Sequence, residues 1–290
     1  EARRMQFEKT NERIKAKSGR NLLGAIGIGI VLGGLLLLSL LVNKDLFMLF
    51  AAVLLGISSV ELATALQAMG RRVPRIPTGI VAVGAVPIAY YFGILAALLF
   101  AAVGVVFVVL WRLVEIRRDY HATADVSLFK DAKAAAFVQA YVTGLGSFAV
   151  ALVAKQDGQW WTLAFLIIVV SVDTGAYVSG LNFGKHPMAP KISPKKTWEG
   201  FAGAALASII AAILLSIFMI GQPWWFGLIL GPIILVTATL GDLGESHIKR
   251  TIGVKDMSSW LAGHGGFLDR LDSILPSALV TFVIYSLVVH

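Results

Sequence analysis

An all-α, polytopic integral membrane protein of about nine transmembrane helices is the fold class that three observations predict. Apolar residues make up 57% of the 290-residue chain and charged residues 14%, with a mean hydropathy of +0.80. Soluble domains of this size carry nearer a quarter charged residues. The apolar residues fall into nine long runs, and the Lys and Arg residues fall almost wholly on alternate connections between them.

In chain order, residues 1–21 hold seven cations (Arg3, Arg4, Lys9, Arg13, Lys15, Lys17, Arg20) and no apolar face. They read as a basic cytoplasmic arm touching solvent or headgroups. The chain opens on Glu1, so a further segment upstream is expected. Apolar runs follow at about 22–42, 46–67, 76–91, 93–113, 134–153, 161–180, 200–220, 225–241 and 274–289. The first is too long for a signal peptide and is read as a retained span.

Placing the N-terminus inside puts 23 of the 25 cations on inner segments and leaves only Lys44 and Lys155 outside. That partition predicts a cytoplasmic N-terminus and an outer C-terminus. Residues 22–153 then form five N-terminal spans, and 154–290 a four-span catalytic region with inner loops 181–199 and 242–273. Trp160, Trp161, Trp224 and Trp225 fall at outer ends and read as interfacial anchors. The inner loops are long and polar, so chemistry is expected there. With no cysteine in the chain, thiolate metal sites and disulfides are excluded, while oxygen-ligated Mg²⁺ stays open.

Residues 241–272, GDLGESHIKRTIGVKDMSSWLAGHGGFLDRLD, concentrate five acids and four bases. A helix continuing past 241 sets Asp242, Ser246, Lys249 and Arg250 on one face. Gly263 to Gly266 (GHGG), with the Gly265-Gly266 pair, supplies a turn that lets backbone approach a ligand. Asp269 and Asp272 share a face if the ninth helix begins there, and with Asp242 they suit an oxygen cage for Mg²⁺. His264 is read as a phosphate hydrogen-bond donor. The other histidines, His121, His186, His247 and His290, are assigned no site.

Asp173 lies within an apolar run, where a carboxylate normally faces a cavity, a cation or a partner. Glu61 is a second intramembrane acid, with nothing in its neighbourhood of sequence to suggest a role. Phe183 to Gly200 carries three prolines and is non-helical until about Thr197. Lys195 and Lys196 stand there beside a Ser-Pro and a helix start, an arrangement suited to holding phosphate.

Ser246-His-Ile-Lys249-Arg250, Lys255-Asp256 and His264-Gly265-Gly266-Phe-Leu-Asp269-Arg270-Leu-Asp272 together resemble the signature of the phosphatidate cytidylyltransferases. Asp173-Thr-Gly-Ala-Tyr177 and Ile192 to Gly200 resemble two further blocks of bacterial members. Ala262 departs from the Pro, Gly or Ser expected there. The resemblance implies condensation of phosphatidic acid with CTP to CDP-diacylglycerol and pyrophosphate, with one or two Mg²⁺ ions and a monovalent cation as a further option. By this reading Asp242 and Asp269 hold metal, with Asp173 and Asp272 as second candidates. Lys195, Lys196, Lys249, Arg250, Lys255 and Arg270 grip phosphates, and Ser246 and His264 hydrogen-bond to them. The resemblance further implies an inner-membrane homodimer with its site on the cytoplasmic side. No nucleic-acid partner is expected. A CTP-dependent kinase of a membrane polyprenol and an anion transporter are the alternatives; the absence of an internal repeat and of polar outer loops weighs against the second.

Overall fold

A computed structural model describes residues 22–118, 127–258, 260–261 and 265–289. The basic arm, His121, Ala262, His264 and His290 lie outside the described residues. Among those described there are nine helices: α1 (Leu22–Val42), α2 (Lys44–Gln67), α3 (Arg75–Phe92), α4 (Ile94–Arg118), α5 (Leu128–Val153), α6 (Gly158–Phe183), α7 (Trp198–Phe218), α8 (Trp224–Ile252) and α9 (Ile274–Val288). Seven, α2 to α8, are long and apolar enough to cross a membrane, while α9 and the Gly29–Val42 part of α1 are apolar but shorter. Every expected run is a helix, so the fold class follows from the hydropathy pattern.

Two apolar clusters hold the bundle together. One joins α2, α3 and α5 through residues such as Leu55, Leu62, Val81, Val86, Val138 and Val150. The other joins α6, α7, α8 and α9 through Phe165, Ile168, Leu230, Ile234 and Ala278. Leucines and isoleucines on α4 and α7 point outward instead, for example Leu99, Leu110, Leu206 and Ile210. In a bilayer such faces meet lipid at no cost.

Trp161 corrects one expectation. It is 2% exposed and stacks edge-on against Phe226 and Tyr285 with centroids 5.9 and 5.4 Å away, so it is a core residue. Trp160, Trp224 and Trp225 are exposed, as interfacial anchors should be. The cause is helical geometry: adjacent residues on α6 point about 100° apart, so Trp160 faces outward while Trp161 turns in against Phe226 and Tyr285.

α5 departs from the sequence-based reading in two ways. α5 begins at Leu128 rather than 134, because Asp131 is buried against Arg112 on α4, Nε to Oδ2 2.9 Å, and its Oδ1 accepts the Arg72 amide at 2.9 Å. α5 also contains a π-turn at Gln139–Gly144. That turn is tied down by Gln139 Nε2 donating to Thr78 O (3.3 Å) and Thr143 Oγ1 donating to Gln139 Oε1 (2.7 Å). π-turns shift helical register and are frequent at functional sites.

Removing one member of the buried Arg112–Asp131 pair leaves the other charge without its partner. Asp131→Ala is expected to lower stability by about 3–5 kcal/mol, read as a fall in the unfolding midpoint of detergent-purified protein. An unchanged midpoint would contradict the role assigned to the pair.

Candidate active site

α8 continues well past the apolar run, to Ile252, and carries the polar face of the site. Asp242, Glu245, Ser246 and Lys249 lie one turn apart along it. Ser246 Oγ donates to Asp242 Oδ1 at 3.3 Å, and Lys249 Nζ donates to Glu245 Oε2 at 3.3 Å. Glu245 is fully buried, and its Oε1 has no hydrogen-bond partner among the described residues. A Cβ on Gly241 would strike the carbonyl oxygen of Asp272. Glycine there lets the turn bearing Asp272 lie directly on α8, beside Asp242.

The loop after α8 is held by two acids. Asp269, in a 3₁₀ turn at Leu268–Arg270, accepts from Gly266 N (2.6 Å), Met257 N (3.0 Å) and Lys249 Nζ (2.9 Å). Glu61, 1% exposed on α2, accepts from Ser258 Oγ (2.5 Å), Phe267 N (3.1 Å) and Leu268 N (2.9 Å). A buried carboxylate with three donors has its desolvation cost offset, so Glu61 closes the loop onto the N-terminal helices. Gly265 adopts φ +80°, a left-handed conformation that side-chain-bearing residues resist. Its amide oxygen accepts from Leu261 N at 2.9 Å.

The third component is an antiparallel hairpin between α6 and α7, β1 (Pro187–Ala189) with β2 (Ser193–Thr197). Thr197 caps α7 by accepting from Gly200 N at 3.1 Å. β2 thereby projects Lys195 and Lys196 over the ends of α6 and α8. Lys196 Nζ pairs with Asp242 Oδ2 at 2.5 Å, and Arg250 Nε donates to Ile192 O at 3.4 Å. Beneath the hairpin lies a cavity of about 270 Å³ whose polar lining includes Asp173, Tyr177, Lys195, Lys196, Thr197 and Asp242 and whose apolar wall includes Ala176, Phe201 and Ala238.

Charge is unevenly distributed in this region. Burial and the neighbouring Asp242 push the Asp272 carboxyl upward from its usual range. For Asp269 burial acts in the same sense, but the Gly266 amide and the Lys249 ammonium outweigh it and hold the carboxyl below that range. The Tyr141 hydroxyl, on the π-turn of α5, is buried without a partner among the described residues and lies within electrostatic reach of Glu245, Asp272 and Asp242.

The structure therefore brings Asp173, Asp242, Lys195 and Lys196 to one cavity, with Ser246 on Asp242 and Asp272 within the field of both acids. Asp269 and Lys249 meet each other one turn further along α8. Arg270 lies within electrostatic reach of Asp173, and Lys255 is exposed. One expectation is corrected: α9 starts at Ile274, so Asp269 and Asp272 sit in the turns before it and share no helical face. The backbone there closes i→i+3 turns instead, Arg270 N donating to Phe267 O at 3.0 Å and Leu271 N to Leu268 O at 2.9 Å. From sequence Glu61 stands out only as an intramembrane acid without a role, and Glu245 and Tyr141 carry no assignment. Glu245 was open to detection, being three residues from Asp242 and four from Lys249 on the same turn.

Glu61→Ala leaves the Phe267 and Leu268 amides without an acceptor. Their hydrogen exchange is expected to speed up by about 30-fold, equivalent to about 2 kcal/mol; unchanged protection would remove the clamp. The depressed Asp269 carboxyl contributes stability that is fully present above the ordinary carboxylate range and is lost as pH falls through it. In metal-free protein, the gap in unfolding midpoint between wild type and Asp269→Asn should shrink below about pH 4. A gap independent of pH would contradict this.

Residues 24–288 match the model of the cytidylyltransferase family. A phosphatidate cytidylyltransferase of Mycobacterium leprae is 37% identical over 279 residues, covering 93% of this chain and 89% of the relative. One of Mycobacterium tuberculosis is 37% identical over 277 residues, covering 94% of this chain and 84% of the relative. One of Staphylococcus saprophyticus is 41% identical over 148 residues, covering 51% of this chain and 56% of the relative. With that match over residues 24–288 and relatives 37% identical over more than nine-tenths of its length, the chain belongs to the cytidylyltransferase family.

Proposed function

We propose that this protein transfers CMP from CTP to phosphatidic acid, forming CDP-diacylglycerol and releasing pyrophosphate, at the cavity beneath the β-hairpin. The observation that carries this reading is the lining of that cavity. Two lysines and two acids stand at its polar end, and an apolar wall continues between α6, α7 and α8. A lipid phosphate needs both: cations for the headgroup and a greasy flank for its chains.

The chemistry asks little of a base. The attacking phosphate is already an anion near neutral pH, so the barrier lies in bringing it against a triphosphate. Lys195 and Lys196 offset that repulsion, and the hairpin that carries them fixes the headgroup for in-line approach to the α-phosphorus. Lys249 and Arg250 extend the positive lining along α8 towards the leaving phosphates, and Lys255, Arg270, Ser246, His264 and the Gly265-Gly266 backbone complete the grip.

Among the described residues no three His, Asp or Glu side chains stand together as a ready metal cluster. The donor chemistry nevertheless fits Mg²⁺. The donors are all oxygens, a buried Glu245 oxygen has no partner, and the Lys196 ammonium already sits on Asp242 where a cation would compete. Asp242 and Asp272, with Asp173 beside them, would hold the ion, and Asp269 would join through the oxygen it now shares with Lys249. A bound divalent ion supplies charge neutralisation for the triphosphate. The charge partition of the loops supports a cytoplasmic site, with the N-terminus inside and the C-terminus outside, in a bacterial plasma membrane. A homodimer is proposed on the family resemblance.

Purified protein given CTP, phosphatidic acid and Mg²⁺ is expected to yield CDP-diacylglycerol and pyrophosphate. Release of CDP with a phosphorylated lipid would instead identify a kinase. Lys196→Gln and Asp242→Asn should each lower kcat/KM by about 10²–10³-fold, and wild-type turnover in either would refute its place at the site.

A further inference from the structure

A second polar cavity, of about 890 Å³, lies between the α2–α3 turn and the end of α4 and shares no lining residue with the catalytic one. Its lining includes Gln67, Arg72, Arg75, Trp111, Arg112 and Glu115. The floor is fixed. Arg112 is buried between Asp131 and Glu115, Trp111 Nε1 donates to Glu115 Oε1 at 3.1 Å, and the Arg72 amide is held by Asp131. These contacts use up both acids. Arg72 and Arg75 stand exposed above them, with no carboxylate ion pair among the described residues. Arg75 instead is oriented by Gln67 Oε1, which accepts from its Nη2 at 2.5 Å.

Two guanidiniums held apart from any acid form a receptor for an anion, and Arg is suited to bidentate phosphate contacts. What lies beside them identifies its source. Ile76 at the rim is 71% exposed, and exposed apolar residues follow on the two helices that flank the groove, Ile80 (58%) on α3 and Val114 (47%) and Leu110 (55%) on α4. In a membrane those residues meet acyl chains, so the arginines sit at headgroup depth above them, flanked by an interfacial tryptophan. A free phosphate would gain from the arginines alone, whereas a phospholipid gains from both parts.

We infer that this groove binds the phosphate of an anionic phospholipid through Arg72 and Arg75, with its chains along α3 and α4, at a site separate from the catalytic cavity. The inference rests on the membrane-spanning fold and not on the reaction proposed above.

The test uses the full-length protein in a neutral detergent, with phosphatidylglycerol, phosphatidylcholine or inorganic phosphate added. Phosphatidylglycerol is expected to raise the wild-type unfolding midpoint by about 4 °C, while the other two leave it unchanged. The double variant Arg72→Gln/Arg75→Gln should lose that rise yet unfold at the wild-type temperature without lipid. Lys196→Gln, altered only in the catalytic cavity, should keep it. Should the double variant lose its fold, Arg75→Gln alone, which leaves the Arg72 amide on Asp131 untouched, is read in the same way. A rise that survives the arginine substitutions, is reproduced by inorganic phosphate, or disappears in Lys196→Gln would overturn the inference.

Discussion

Negative charge gathered at the polar end of α8 is the constraint around which the site is built. Asp173, Asp242 and Asp272 come within one another's field and Glu245 within that of Asp272, while Lys196 and Lys249 are the ammonium groups placed against Asp242 and Glu245. Carboxylates in a partly dry environment repel one another strongly, because low dielectric amplifies the Coulomb energy that water would screen. Such an arrangement persists only if the surrounding helices hold it, and it favours any cation that enters. The packing of α6, α7 and α8 supplies the first condition. The open cavity under the hairpin supplies the route for the second.

The C-terminal half does not hold itself together unaided. Glu61 belongs to the N-terminal helices, yet it binds the loop that carries Gly266, Phe267 and Leu268 and so fixes the turn leading to Asp269 and Asp272. Asp131 does comparable work at the far side, pinning the α2–α3 turn and α4 together. The first five helices therefore contribute more than a membrane anchor: they set where the loop of the last four can lie. A π-turn in α5 adds the Tyr141 hydroxyl to the rim of the acidic region, an outcome of register that no pattern of apolar residues announces.

How much of this was legible in the sequence depended on the range of the interaction. Helix positions were readable because hydropathy is a local property, and the face shared by Asp242, Ser246 and Lys249 followed from helical spacing alone. Gly265 was readable because a left-handed turn leaves few choices. Glu61 was not, since its partners stand 197 to 207 residues away in the chain. Glu245, by contrast, is as local as Asp242, since spacings of three from Asp242 and four from Lys249 place it on the same side of α8. The hairpin of β1 and β2 was invisible for another reason: a proline-rich polar segment specifies what it cannot be, a helix, more clearly than what it becomes. Trp161 shows the opposite failure, where a general preference of tryptophan for interfaces lost to the packing of one particular core.

Direct binding of Mn²⁺, followed by the loss of its free-ion electron paramagnetic resonance signal on titration with CTP-free protein in detergent, tests the central claim that this acidic cluster is a cation site. The account predicts saturable binding that Mg²⁺ displaces and that is weakened at least about tenfold by Asp242→Asn and by Asp272→Asn. Equal affinity in wild type and both variants would contradict it.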